Sequence, residues 1–84
     1  LFNLIKLAEQ GNSEAQSNLG LIYIEGQKLP RDYDKAFEYF TKAAEQGNAD
    51  AQFNLGLVYQ NGAGAEKDYK KAIDWFTKAA NQGS

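Results

Sequence analysis

The chain is 84 residues long, 43% hydrophobic and 24% charged, with a formal net charge of -2. That is ordinary globular material, and no apolar run approaches the roughly 18 residues that a membrane-spanning helix needs. The charge is too small to steer toward nucleic acid or an anionic membrane surface. With no cysteine and no histidine, disulfides, thiolate metal sites and the commonest general base are absent as well.

The chain repeats itself. Ala8-Glu9-Gln10-Gly11-Asn12, followed by Ala15-Gln16-Ser17-Asn18-Leu19-Gly20-Leu21-Ile22-Tyr23, returns 36 residues later as Ala44-Glu45-Gln46-Gly47-Asn48 and Ala51-Gln52-Phe53-Asn54-Leu55-Gly56-Leu57-Val58-Tyr59. Residues 1–48 lie on residues 37–84 without a gap, and 25 of the 48 pairs are identical. A fixed period of this size marks a stacked repeat architecture, each unit burying the apolar face of the next.

Five helices are predicted, at about 1–10, 13–25, 33–46, 49–61 and 69–82. Leu1, Leu4 and Ala8 fall at helical spacing in the first, which reads as the tail of a preceding repeat. Gly11, and later Gly47 and Gly83, stop these helices with a left-handed cap. Asn12 and Asn48 stand where N-caps belong, with Glu14 and Asp50 in the first turns that follow. Ala15, Leu19, Ile22 and Tyr23 form the apolar face of the second helix; Ala51, Leu55, Val58 and Tyr59 repeat it in the fourth. Gly20 and Gly56 sit inside these helices at the same phase, which predicts close approach of a neighbouring helix.

Gly26 and Gly62 end them, and a loop of about six residues leads to Asp32 and Asp68, each a suitable N-cap for the next helix. Tyr33, Ala36, Phe37, Phe40 and Ala44 make the core stripe of the third helix; Tyr69, Ala72, Ile73, Phe76 and Ala80 make that of the fifth. The expected organisation is one repeat domain over 1–84, with 1–11 ending one repeat, 12–47 forming a second and 48–83 a third. It opens mid-repeat at Leu1, so it is read as a piece of a longer array and its localisation stays open.

On these residues the chain resembles the Sel-one-like repeat (SLR) family, relatives of the tetratricopeptide repeat. The resemblance runs through Ala44 to Tyr59, then Gly62-Ala63-Gly64, then Asp68-Tyr69-Lys70-Lys71-Ala72-Ile73-Asp74-Trp75-Phe76-Thr77-Lys78-Ala79-Ala80. It implies an all-α fold, a right-handed α/α superhelix of helix–turn–helix units, and a non-catalytic scaffold or adaptor that holds a protein or peptide partner. Lys28 departs from the family pattern, standing where the second loop glycine belongs, so that loop is expected to follow a different backbone path. Disulfide-stapled, cysteine-rich members form another branch of the family.

In such stacks the first helix of each unit lines the concave side. At 100° per residue, Glu14, Ser17, Asn18, Leu21, Ile24 and Glu25 share one outward arc of the second helix. Asp50, Phe53, Asn54, Leu57, Gln60 and Asn61 are their equivalents in the fourth. This mix of amides, carboxylates and apolar side chains suits a surface that reads a peptide. Asn18 and Asn54 either hydrogen-bond a partner's backbone or brace a neighbouring helix. Leu21, Ile24, Phe53 and Leu57 either anchor a ligand or pack between repeats. Ile24 and Ser17 differ from their counterparts Gln60 and Phe53, which makes them candidates for specificity. Trp75, in place of Tyr39, either packs on a following helix or meets a partner.

No residue pattern points to catalysis, a cofactor or a metal. Asp32 and Asp34 are explained by capping, Gly62 and Gly64 by a turn, and the Lys67, Lys70 and Lys71 cluster by solubility. Two other roles fit the sequence: a self-assembling element joined through open repeat ends, where Phe2 and Ile5 replace Glu38 and Thr41, and an accessory domain of a larger enzyme.

Overall fold

A computed structural model describes residues 1–83. Five helices follow one another, α1 (Phe2–Glu9), α2 (Ser13–Glu25), α3 (Tyr33–Glu45), α4 (Ala49–Asn61) and α5 (Tyr69–Asn81), with no strand among the described residues. Each packs on its neighbour in sequence, so α3 is sandwiched between α2 and α4, and the molecule extends over 35 × 24 × 16 Å. The predicted bounds hold to within a residue. Gln10, Gln46 and Gln82, expected inside α1, α3 and α5, are the residues that cap them.

All four predicted N-caps are made. The Asn12 and Asn48 side-chain oxygens accept from the Ala15 and Ala51 N–H at 2.9 and 2.8 Å. Asp32 and Asp68 accept from Lys35 and Lys71 at 3.0 and 3.1 Å. Each such cap satisfies a helix donor that would otherwise lack a partner, for about 1 kcal/mol. The two aspartates also tie the loop down, because their own N–H groups donate to the Tyr23 and Tyr59 carbonyls at 3.0 and 2.9 Å.

The core is built from alanines with a few large side chains between them. Ala36, Phe40, Ala43, Ala44, Ala51, Leu55 and Val58 form one cluster between α3 and α4, and Ala8, Ala15 and Leu19 a second between α1 and α2. Small residues let the helix axes approach, and Gly20 carries this furthest. A Cβ there would lie 2.5 Å from the Phe40 ring, and one at Gly56 would lie 2.6 Å from the Phe76 ring. The close approach predicted at these glycines is therefore present.

The predicted core stripes need correction at Tyr33, Tyr69, Ile73 and Ala80, which are exposed. Tyr33 and Tyr69 occupy the first position of their helices, where the chain has only just left the loop and only the Arg31 or Lys67 side chain lies over the ring, at 5.9 and 5.8 Å. Phe37 is covered by the Tyr59 ring, edge-on at 5.8 Å, and by Gly64, whose Cβ would lie 3.1 Å from that of Phe37. Among the described residues, none covers Ile73, its counterpart, in the same way, and it is 62% exposed. Trp75 packs against the core cluster from its edge, with the Lys78 ammonium 4.4 Å from its ring centre.

The glutamines of the repeated phrase form a relay that sequence reading gave no role. The Gln16 amide donates to the Ala8 carbonyl at 3.1 Å and its oxygen accepts from the Gln46 amide at 2.9 Å. Gln52 repeats this with Ala44 and Gln82, at 3.2 and 2.8 Å. Each buried glutamine thus joins three helices, α1, α2 and α3 in one case and α3, α4 and α5 in the other. Such a bond contributes about 1 kcal/mol net, and leaving a buried amide unpaired costs about 1–3 kcal/mol.

Candidate functional site

With its apolar side turned to α1 and α3, α2 leaves part of its surface toward α4, and the two helices do not pack tightly on each other. A groove of about 690 Å³ opens there. Leu21, Ile24 and Glu25 come to it from α2; Asn54, Leu57, Val58 and Asn61 come from α4; Tyr33, Gly62 and Ala63 close its end. Val58 is buried, Ile24 and Leu57 are half-buried, and Leu21 is 37% exposed, so the wall is apolar and reachable from solvent. Six of the twelve residues expected on the outward arcs meet in this groove.

The other six separate. Asp50 and Phe53 line a second cavity of about 400 Å³ with Phe76, Ala79 and Ala80, where the Phe53 ring lies 5.4 Å from that of Phe76. Glu14, Asn18 and Gln60 are exposed on the surface outside the groove. Ser17 is a correction: it is 4% exposed and cannot meet a partner. It lies one turn before Gly20, on the side of α2 where the Phe40 ring comes closest, so the arc drawn from angles alone was too wide. Of the two specificity candidates, only Ile24 lies in the groove.

Tyr33, Val58, Gly62 and Ala63 were missed as lining residues. Tyr33 had a signal, since a tyrosine at the first position of a helix has its ring beside the preceding loop rather than in the core. None of the side-chain hydrogen bonds among the described residues involves Asn18 or Asn54. The Asn54 amide, half-buried at the groove, is therefore not engaged in bracing a neighbouring helix.

Both helices that flank the groove end on a left-handed glycine, Gly26 and Gly62, each with φ +69° and its N–H donating to the Ile22 or Val58 carbonyl, and the loops diverge after it. After α4, the Ala63 N–H also donates back to the Val58 carbonyl, at 3.1 Å. After α2, the Arg31 side chain takes over, its Nε donating to the Ile24 carbonyl at 2.9 Å and its Nη2 to the Glu25 carbonyl at 3.4 Å. Gly64 has φ +97°, whereas no residue other than glycine has positive φ, so Lys28 follows the separate backbone path expected of it. Away from the groove, Tyr39 stacks on Tyr23 at 6.0 Å. Burial, with the Tyr23 phenol adding to it, pushes the Tyr39 pKa above 10.0, and the phenol stays neutral at physiological pH.

The Sel1 repeat family matches the chain twice, over residues 13–48 and 49–84. The chain belongs to the Sel1 repeat family. A Sel1 repeat protein from Oxalobacter formigenes is similar at 43% identity and a TM-score of 0.85, over 88% of this chain and 30% of that one. A protective antigen of uropathogenic Escherichia coli with an SLR fold is 41% identical with a TM-score of 0.92, over 98% of this chain and 18% of that one. Cysteine-rich protein B of Helicobacter pylori is 32% identical with a TM-score of 0.90, over 96% of this chain and 61% of that one. The chain thus spans less than two thirds of each of these proteins. No curated protein matches it. These neighbours share the α/α solenoid of Sel1 repeats, and Sel1 repeat proteins are in general protein-interaction scaffolds. This Sel1 chain has no cysteine, so helix caps, the glutamine relay and alanine packing hold its repeats together. No described helix is long and apolar enough to cross a membrane.

Proposed function

We propose that this Sel1 repeat segment is a non-catalytic interaction module whose α2–α4 groove holds an extended peptide segment of a partner protein. The observation that carries it is the groove itself, which combines an apolar wall at Leu21, Ile24 and Leu57 with polar side chains at Asn54 and Asn61. An apolar wall supplies affinity without direction, and a small number of amides beside it fix the orientation of a bound backbone. Both asparagines are on α4, one on its second turn and one at its end, so they offer two points along a single strand.

A peptide selected from a random dodecapeptide library is expected to shift the amide resonances of Leu21, Ile24, Asn54, Leu57 and Asn61. The triple variant Leu21→Ala, Asn54→Ala, Asn61→Ala should weaken it by about tenfold or more, as truncation of central contact residues does. Because alanine is the better helix former, the melting temperature should move little. Undiminished binding by the triple variant, or shifts confined to the outer faces of α3 and α5, would refute the groove.

Phe2 on α1 is 75% exposed and Ile73 on α5 is 62% exposed, which supports a second reading, association of copies through the outer helices. Light scattering across concentration tests it, and a constant monomer mass counts against it.

A further inference from the structure

The charge on the groove helices is one-sided. Among them, α2 and α4 carry Glu14, Glu25 and Asp50 and no lysine or arginine, more negative charge than the whole chain's -2. Each of α1, α3 and α5 ends with a lysine in its last turn, at Lys6, Lys42 and Lys78, as the negative end of a helix dipole favours. Neither groove helix has a basic residue there, and α2 ends on a carboxylate. Glu14 and Asp50 stand in first turns, where the dipole explains them. Glu25 stands at the end where the dipole opposes it.

Arg31 offsets only part of this charge. Its guanidinium donates to the Ile24 and Glu25 backbone carbonyls rather than to the Glu25 carboxylate, and it lies over the Tyr33 ring at 5.9 Å. The Arg31 guanidinium and the α3 N-terminus at Tyr33 stand against the Glu25 carboxylate, the Asp32 carboxylate that caps α3, and the C-terminal ends of α2 and α4; with about half an elementary charge at each helix end, this corner stays negative.

Resting on the groove reading above, we propose that the occupant is a basic–apolar peptide, with a large aliphatic or aromatic side chain two positions from a lysine or arginine. The spacing follows from the geometry. Leu21 and Glu25 are four residues apart on α2, so they are separated by about 6 Å along the helix axis. Side chains two apart on an extended chain point the same way, about 7 Å from one another. An apolar side chain seated on Leu21 and Leu57 therefore carries a cation to the Glu25 carboxylate, with Asn54 and Asn61 left for the peptide backbone.

The test is the composition of peptides selected on this chain from a phage-displayed random dodecapeptide library, followed by fluorescence polarisation with the synthetic peptides. The expected peptides pair Leu, Ile, Phe or Trp with Lys or Arg two positions away. Glu25→Gln should weaken them by about two- to five-fold, the range of an exposed charge pair. Raising the salt from low to high should weaken the native chain and erase the difference between it and Glu25→Gln. In a charge swap, Glu25→Lys should prefer the same peptide with its cation replaced by glutamate. Peptides that shift the groove resonances but carry neutral or acidic flanks, or that ignore Glu25→Gln and salt, overturn the basic–apolar assignment and leave the groove standing. Selection of no peptide, or only of peptides that bind elsewhere, overturns the groove and this assignment together.

Discussion

At about 6 °C per kcal/mol, replacing Gly64 by alanine lowers the melting temperature by about 12–30 °C, whereas the same change at Gly47 costs about 6–12 °C. The two glycines have nearly the same backbone, φ +97° and +95°, so the conformational cost of a Cβ, about 1–2 kcal/mol, is common to both. Their surroundings differ. A Cβ at Gly47 meets nothing within 4 Å, whereas one at Gly64 would fall on the Tyr33 carbonyl oxygen and against the Phe37 side chain. The oxygen belongs to the backbone at the start of α3 and cannot turn aside, so the loop itself must lift, at a further cost of about 1–3 kcal/mol. Thermal unfolding of the two variants, each against the native chain, measures the seat of the α4–α5 loop by difference. Equal losses at both positions would show that the loop does not rest on α3. The same lift carries Ala63 and Gly62 away from the groove, so Gly64→Ala is also expected to weaken any groove-bound peptide.

Gly20→Ala and Gly56→Ala are the same substitution at equivalent places, and they should differ. Alanine gains up to about 1 kcal/mol of helix propensity at either position. Against this stands the clash with an aromatic ring, at 2.5 Å from Phe40 in one case and 2.6 Å from Phe76 in the other. Phe40 is fully buried between α2, α3 and α4 and has nowhere to move, so overpacking costs about 1–3 kcal/mol. Phe76 is only half-buried, beside the cavity it shares with Phe53, and can swing aside. Gly20→Ala should therefore lower the melting temperature by several degrees, and Gly56→Ala should leave it nearly unchanged. Adding Phe40→Leu to Gly20→Ala should cost less than the two changes summed, because the smaller side chain makes room for the new methyl. Strict additivity would place the two residues out of contact.

The repeat period made most of this fold legible. Once Gly47 and Asn48 are read as a stop followed by a cap, and Asp32 and Asp68 as caps after loops, helix order and bounds follow from local chemistry. The capping bonds depend on residues three apart, a distance the sequence states directly. Gly20 and Gly56 were legible for a similar reason: a costly residue recurring at the same phase needs a close neighbour to justify it. Which ring filled the gap was not legible, since it depends on the tilt of α3 across α2.

The candidate site was legible in composition and only half legible in position. A helical wheel treats every outward angle alike, yet α2 is covered on two sides, so Ser17 is lost to the core and Tyr33 enters from the next helix. Gln16 and Gln52 show the same limit, their pairing with Gln46 and Gln82 bridging 30 residues. By itself the sequence determined the repeat, the caps, the alanine stripes and the acidic, amide-rich character of α2 and α4, because each is set by neighbours within a turn or two. Tertiary structure alone decided which of those side chains face one another across the groove. Small differences in helix tilt and loop path, such as the one Lys28 imposes, accumulate over whole helices and move a side chain from solvent to core.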